Sequence, residues 1–245
     1  MAELVSFFAG AIGRIIGGFA ISPMKWLWER FFGPFKLPSG LIIFITGANG
    51  AGKSTIARKL AKRWSIKPQD FVPTNLVREG KRADRELYIA AGQQHEYDLL
   101  CKSAHKLEGP DQYAEQSLLL SEAIVYNANY LHLPDNGAIF EGINILPNYI
   151  DGRLQGVKKA LFIHLIADKS ILSERLDVRT SDNDAKAGFL DNIEQILVIQ
   201  TRIADDFMPG TNQSNRFTIE SKKNTSVRNI VKEVIKIVRK YQKEL

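Results

Sequence analysis

Cysteine is almost absent from this chain: Cys101 is the only one in 245 residues. A lone thiol excludes an internal disulfide, and it fits a reducing cytosol. The residues around Cys101 read as helix and place no base beside it, so the thiol is taken as structural. Histidine is nearly as scarce, with four in the chain. His95 and His105 stand at a spacing that suits no simple metal site and read as surface or satisfied rings. His164 lies inside an apolar run and reads as core. Acidic charge is in deficit, with 27 Asp and Glu against 33 Lys and Arg, a net charge of +6 and a pI near 9.3. That balance suits phosphorylated ligands, nucleic acid or an anionic membrane. The cations are spread along the chain, so charge does not choose among the three. Internal repeats and low-complexity tracts are also missing. The remainder, 44% hydrophobic and 24% charged, is ordinary for one α/β domain with a small extension.

An uninterrupted apolar run of membrane-spanning length is missing too. Leu4 to Ile21 comes nearest, but Ser6 and Arg14 interrupt it. A spanning helix needs about 20 apolar residues, and an arginine near its middle costs about 2.5–3.5 kcal/mol on insertion scales. A secretory leader fits poorly, because Glu3 stands where basic residues belong and no clear cleavage site follows. Further on, Trp26, Trp28, Phe31 and Phe32 alternate with Lys25 and Arg30, a mixture that suits a bilayer interface or a greasy face docked on protein. Gly13 and Gly17 add one small-residue spacing for close helix packing. Residues 1–38 are therefore expected to be a hydrophobic helical segment. Its three open roles are packing, formation of a homo-oligomer and contact with a membrane surface. Pro34, Pro38 and Gly40 mark the junction with the domain at 39–245.

What is present begins with "LIIFI", a β-branched and aromatic run that predicts a buried parallel strand. It leads into Gly47-Ala48-Asn49-Gly50-Ala51-Gly52-Lys53-Ser54-Thr55, which matches the Walker A phosphate-loop pattern. The glycines allow the backbone to curl round an anion with N–H groups inward. The next helix, over 53–64, would present its positive N-terminus to the same anion. Lys53 is expected to reach the β- and γ-phosphates, Ser54 to bind Mg²⁺ and Thr55 to help fix the phosphates. The ligand is expected to be a nucleoside triphosphate, with ATP as the first choice.

The carboxyl ends of parallel strands face the ligand crevice. "FVPT" reads as a second strand, and the helix opening at "NLVRE" places Asn75, Arg78, Lys81 and Arg82 near an acceptor. Arg78 is the candidate for a bidentate grip on an acceptor phosphate. Helices are predicted over 82–107 and 111–133, on either side of Gly109-Pro110, as an acceptor-binding insert. "AIF" is a third strand ending at Glu141, whose carboxylate could hold a Mg²⁺ water or assist the acceptor, with Asn144 in the following loop. "KALFIHLIA" and "NRFTIE" are a fourth and fifth strand. Arg175 and Arg179, one helical turn apart, could close over the transferring group. A helix over 189–208 and an amphipathic tail with a basic outer face complete the pattern. Strands alternating with helices predict a three-layer α/β/α sandwich around a mainly parallel five-stranded sheet.

Four segments carry a family resemblance: "ITGANGAGKSTIARKLAKR", "VPTNLVRE", "IFEGINILP" and "RLDVRT…DNIEQILVIQ". On these the chain from about residue 41 onward resembles the P-loop kinases, and within them the 2-phosphoglycerate kinase group. The resemblance implies Mg²⁺-dependent transfer of the ATP γ-phosphoryl group to a hydroxyl of a small, phosphorylated acceptor. It also implies a cytoplasmic enzyme, with a peripheral membrane contact left open through residues 1–38. Two positions depart from the group: Asn75 stands where it usually has Asp, and Asn144 where it usually has His. Asparagine cannot act as a base. A nucleotide-driven switch that hydrolyses ATP, with residues 1–38 as its effector arm, therefore stays open as an alternative. A polynucleotide kinase is a further one, with no aromatic-basic interleaving in the core to favour it.

Overall fold

The computed structural model describes residue 37 and residues 40–131, 137–155, 159–181, 192–208 and 214–244. Residues 1–36, and with them the expectation of a helical N-terminal segment, lie outside the described residues.

Five strands form one parallel sheet in the order β2-β3-β1-β4-β5. The strands are β1 (Leu41–Gly47), β2 (Phe71–Pro73), β3 (Ala138–Glu141), β4 (Lys159–Ala167) and β5 (Arg216–Ser221). β1 is central, pairing Ile42–Ile45 with Ala138–Glu141 on one side and Leu41–Gly47 with Lys159–Leu165 on the other. Every residue of β1 is buried, which is why it reads as a continuous apolar run rather than an alternating one. Strand alternation sends Ile42 and Phe44 to one face. There they pack with Phe140, Phe162, Leu120 and Ile124, and the Phe44 and Phe162 rings stack at 4.8 Å.

Helices cover both faces. On one, α1 (Lys53–Trp64) crosses β1 and β3. After it come α2 (Thr74–Ala83), α3 (Arg85–Ala90), α4 (Gln94–Cys101), α5 (Gly109–Tyr126) and α6 (Pro147–Ile150). Then follow α7 (Lys169–Ser181), α8 (Ile193–Asp205) and α9 (Val227–Lys243). α9 packs beside α1 and against β5, whereas α8 packs against β1, β4 and α5. The α1 bounds coincide with the expected ones. Gly52 in the left-handed region precedes the helix, and Ser65 with φ 54 caps its carbonyls at Ala61 and Lys62.

The expected single helix over 82–107 is corrected to shorter pieces. Gly92, at φ +72, ends α3, and Gln93 N–H closes back on the Tyr88 carbonyl at 2.8 Å. Ser103 is extended and leads into a 3-10 turn at Ala104–Lys106. These breaks fold the insert back on itself, so that α2 and α4 both reach α5. The second insert helix runs Gly109–Tyr126 and continues as a π turn at Asn127–Leu131. Its first turn holds Pro110, whose missing N–H costs nothing there. No helix among the described residues is long and apolar enough to cross a membrane.

Candidate active site

All five strands point their carboxyl ends to one edge, and the phosphate loop sits there. Gly47, Gly50 and Gly52 take φ values of +146, +84 and +95. A side chain at Gly47 would put its Cβ 2.3 Å from the Leu165 carbonyl oxygen, so the loop needs glycine there for space as well as for φ. Ala48 and Ala51 are buried and joined by an Ala51 N–H to Ala48 carbonyl bond of 3.2 Å. Lys53 Nζ donates to the same Ala48 carbonyl at 2.9 Å, which holds the buried ammonium within the curl of the loop.

Ser54 Oγ donates to Glu141 Oε2 at 3.1 Å, joining the start of α1 to the end of β3. A hydroxyl and a carboxylate at that distance are two hard oxygen donors of the kind Mg²⁺ takes beside phosphate oxygens and water. The residues present therefore fit a Mg²⁺–nucleoside triphosphate: curled backbone amides, a helix N-terminus, a lysine and this oxygen pair.

The loop after β3 is fastened at three successive residues. Gly142 N–H donates to the Ile45 carbonyl at 3.0 Å. The Tyr113 hydroxyl donates to the Ile143 carbonyl. Asn144 Nδ2 donates to Gln116 Oε1 at 2.9 Å and Ser117 Oγ at 3.3 Å. Gly142 also has no room for a side chain, since its Cβ would lie 1.7 Å from Thr74 Oγ1 at the start of α2. That contact brings the start of α2 against the end of the strand that carries Glu141.

A cleft of about 450 Å³ runs between these elements. Asn49, Gly50, Gly52, Lys53 and Ser54 line one end of it. Asn75, Arg78, His105, Glu141 and Asn144 line the rest. At the α2 end of the cleft Arg78 presents a guanidinium. Burial lowers its pKa from the ordinary guanidinium value, and neighbouring Glu79 only partly offsets this. Its partners are weak: a 3.4 Å bond from Nη1 to the Lys102 carbonyl and a 3.9 Å approach of Nη2 to Glu79. A desolvated, weakly paired guanidinium facing a cleft favours an incoming anion.

Sequence reasoning missed His105. It is 7% exposed and lines the cleft. Burial, then the charges of Lys106 and Arg78, lower its pKa from 6.5, so the ring is neutral near pH 7. Its nearness to Arg78 comes from the break at Ser103, which no local spacing reveals.

Two expected site residues go elsewhere. Arg82 does not line the cleft, because both Glu79 carboxylate oxygens hold its Nη1 at 2.9 Å on the outer face of α2. Arg175 lies on the other side of the phosphate loop. Its Nη1 donates to the Gly50 carbonyl at 3.2 Å and its Nη2 to Ser221 Oγ at 2.9 Å. With Gly52, Thr55, Val227 and Ile230 it lines a second cleft of about 330 Å³. The Arg179 side chain lies outside the described residues.

No protein-family model matches the chain. Two 2-phosphoglycerate kinases are similar to it in sequence. That of Methanococcus maripaludis is 26% identical over 229 residues, covering 86% of this chain and 67% of the relative. That of Pyrococcus horikoshii is 27% identical over 191 residues, covering 75% of this chain and 60% of the relative. The chain thus spans about two thirds of the length of the first relative and less of the second. Among solved structures, a sugar kinase from a Janibacter species superposes with a TM-score of 0.50 at 13% identity, covering 82% of this chain and 95% of that one. The chain has the α/β P-loop kinase fold, and in sequence it is distantly similar to the 2-phosphoglycerate kinases.

Proposed function

We propose that the chain is a phosphotransferase that moves the γ-phosphoryl group of ATP, with Mg²⁺, to a hydroxyl of a small phosphorylated acceptor resembling 2-phosphoglycerate. The observation that carries this reading is the single cleft joining Lys53 and Ser54 to Arg78. Loop amides and Lys53 would hold the β- and γ-phosphates, and Ser54 with Glu141 would hold the metal, directly or through its water. The metal would neutralise charge that develops between the β- and γ-oxygens. Arg78 would grip the acceptor's own phosphate, and Asn75 and His105 would orient its hydroxyl. The second cleft, beside Thr55 and Arg175, would take the nucleoside.

A second reading has its own observation. Asn75 stands exposed at the start of α2, where the resemblance would place a carboxylate. Its amide cannot accept the acceptor's proton. The chain would then hydrolyse ATP as a switch. Phosphoryl transfer depends mainly on positioning and charge, so the transferase reading does not require a base at residue 75.

Both readings are tested by incubating the full chain with γ-labelled ATP, Mg²⁺ and a panel of phosphorylated hydroxy acids. Label on an acceptor, lost on Lys53→Met, supports transfer. Label only as inorganic phosphate, with every acceptor, supports the switch. No Mg²⁺-dependent nucleotide turnover or affinity would overturn both.

A further inference from the structure

The last helix carries a feature that nucleotide chemistry does not use. α9 holds Arg228, Lys232, Lys236, Arg239, Lys240 and Lys243 against one carboxylate, Glu233. The six cations are exposed, while Ile230, Val234, Ile235, Val238 and Tyr241 are buried. Steps of three and four residues put the cations on one outward stripe about 22 Å long. Arg228, Lys232, Lys236 and Lys243 make no ion pair among the described residues. α1, packed alongside, has no acid in its sequence KSTIARKLAKRW and adds exposed Lys59, Lys62 and Arg63. Arg63 lies beside Arg228, Lys236 and Arg239 on a common surface.

The stripe leads away from the catalytic edge. α9 begins beside the second cleft, at Val227 and Ile230, and its far end is tied to the start of β4 by the Tyr241 hydroxyl on the Ala160 carbonyl, at 3.1 Å.

We propose that this basic stripe docks the protein on a bilayer containing anionic phospholipids. No residue of the stripe lines the first cleft, which would stay open to its substrates. A cluster of this many cations on one amphipathic helix, each drawn to the negative surface potential of anionic lipids, is enough for reversible, salt-sensitive attachment. Nucleic acid fits the stripe less well. Non-specific strands are held by cations together with exposed aromatic rings, and the aromatic rings of these two helices, Trp64 and Tyr241, are 3% and 7% exposed.

The test is co-sedimentation of the full chain with phosphatidylcholine vesicles with and without phosphatidylserine, at low and high salt. Binding should require phosphatidylserine and weaken as salt rises. Replacing Arg228, Lys232, Lys236 and Lys243 by Gln should weaken it by about a thousandfold. The thermal midpoint and nucleotide affinity of that variant should match those of the native chain. Equal binding to both vesicle types, binding to neither, or undiminished binding by a folded variant overturns the proposal. So does tighter binding to an oligonucleotide that displaces the vesicles. Should the variant not fold, the native protein's lipid preference and salt response still decide.

Discussion

The hydroxyl of Ser54 and the carboxylate of Glu141, 87 residues apart in sequence, meet at 3.1 Å at the mouth of the sheet. The register of β1 and β3 sets Ile45 opposite Glu141, and α1, which carries Ser54, packs on both strands, so each partner is held by a regular element. If the pair holds Mg²⁺, Glu141→Gln should raise the Mg²⁺ concentration for half-maximal ATP turnover by roughly tenfold or more. Ser54→Ala should do the same, and the double variant should cost less than the two effects combined. A Mg²⁺ titration of turnover checks this. An unchanged midpoint in both single variants would remove the metal role.

Arg78 should separate acceptor from nucleotide. Arg78→Ala is expected to raise KM for a phosphorylated acceptor by about 10²-fold, the loss of a charge-assisted contact of roughly 3 kcal/mol. Nucleotide affinity should stay within about twofold of native, since the loop is untouched. Arg78→Lys should recover only part, because an ammonium cannot make a bidentate contact. Steady-state kinetics with a calorimetric nucleotide titration check both halves, and a matching loss of nucleotide affinity would count against the assignment.

Arg175 acts in the structure as a brace between Gly50 and Ser221. Arg175→Ala should destabilise the fold by about 1–3 kcal/mol, since it leaves a carbonyl and a hydroxyl without their charged donor. It should also loosen nucleotide binding. Arg175→Lys should restore little, because one ammonium cannot span both acceptors in the guanidinium's geometry. Chemical denaturation and nucleotide titration on the same samples read the two effects.

Gly142→Ala should destabilise by about 1–3 kcal/mol or more through overpacking against Thr74. The test of cause is a double variant. Thr74→Gly removes the atoms that the new Cβ would strike, at 1.7 to 2.9 Å. It should therefore recover much of the loss, as a coupling measurable by denaturation. Simple additivity would place the strain elsewhere.

His164 makes stability depend on pH. The ring is fully buried, neither nitrogen has a hydrogen-bond partner among the described residues, and it packs against Phe207. Burial, then the charge of Lys53, lowers its pKa from 6.5 to about 4. The unfolded chain therefore binds the proton first. Stability is full above the ordinary histidine pKa and falls as pH drops from about 6.5 towards about 4, by up to about 3 kcal/mol. His164→Met should flatten that slope, measured as the thermal midpoint against pH.

Much of this architecture was legible because it is local. "LIIFI", "AIF" and "KALFIHLIA" are apolar runs long enough only for strands, and strands bury them on both faces. The phosphate loop was legible because its glycine spacing is itself the backbone geometry. The insert was not, since apolar spacing persists across Gly92 and Ser103 while the chain turns. Arg82 and Arg78 share one helix, and only the packing of α2 against β2, α4 and α5 decides which of them reaches the cleft. Arg175 read as a group that closes over phosphate because its partners, Gly50 and Ser221, are far away in sequence. His105 was passed over because a ring's neighbours across a fold leave no trace in its spacing.

β3 is four residues long, with Gly137 wedged under Leu37 at one end and Glu141 at the other. A strand that short, hydrogen-bonded on both sides, behaves as a stiff rod of about 13 Å. A methyl group at position 137 would meet the tip of Leu37 at 2.6 Å and the Leu41 carbonyl at 2.9 Å, in a backbone conformation that side chains rarely adopt. Only glycine lets the chain enter the strand at its quiet end and still deliver the carboxylate at its working end.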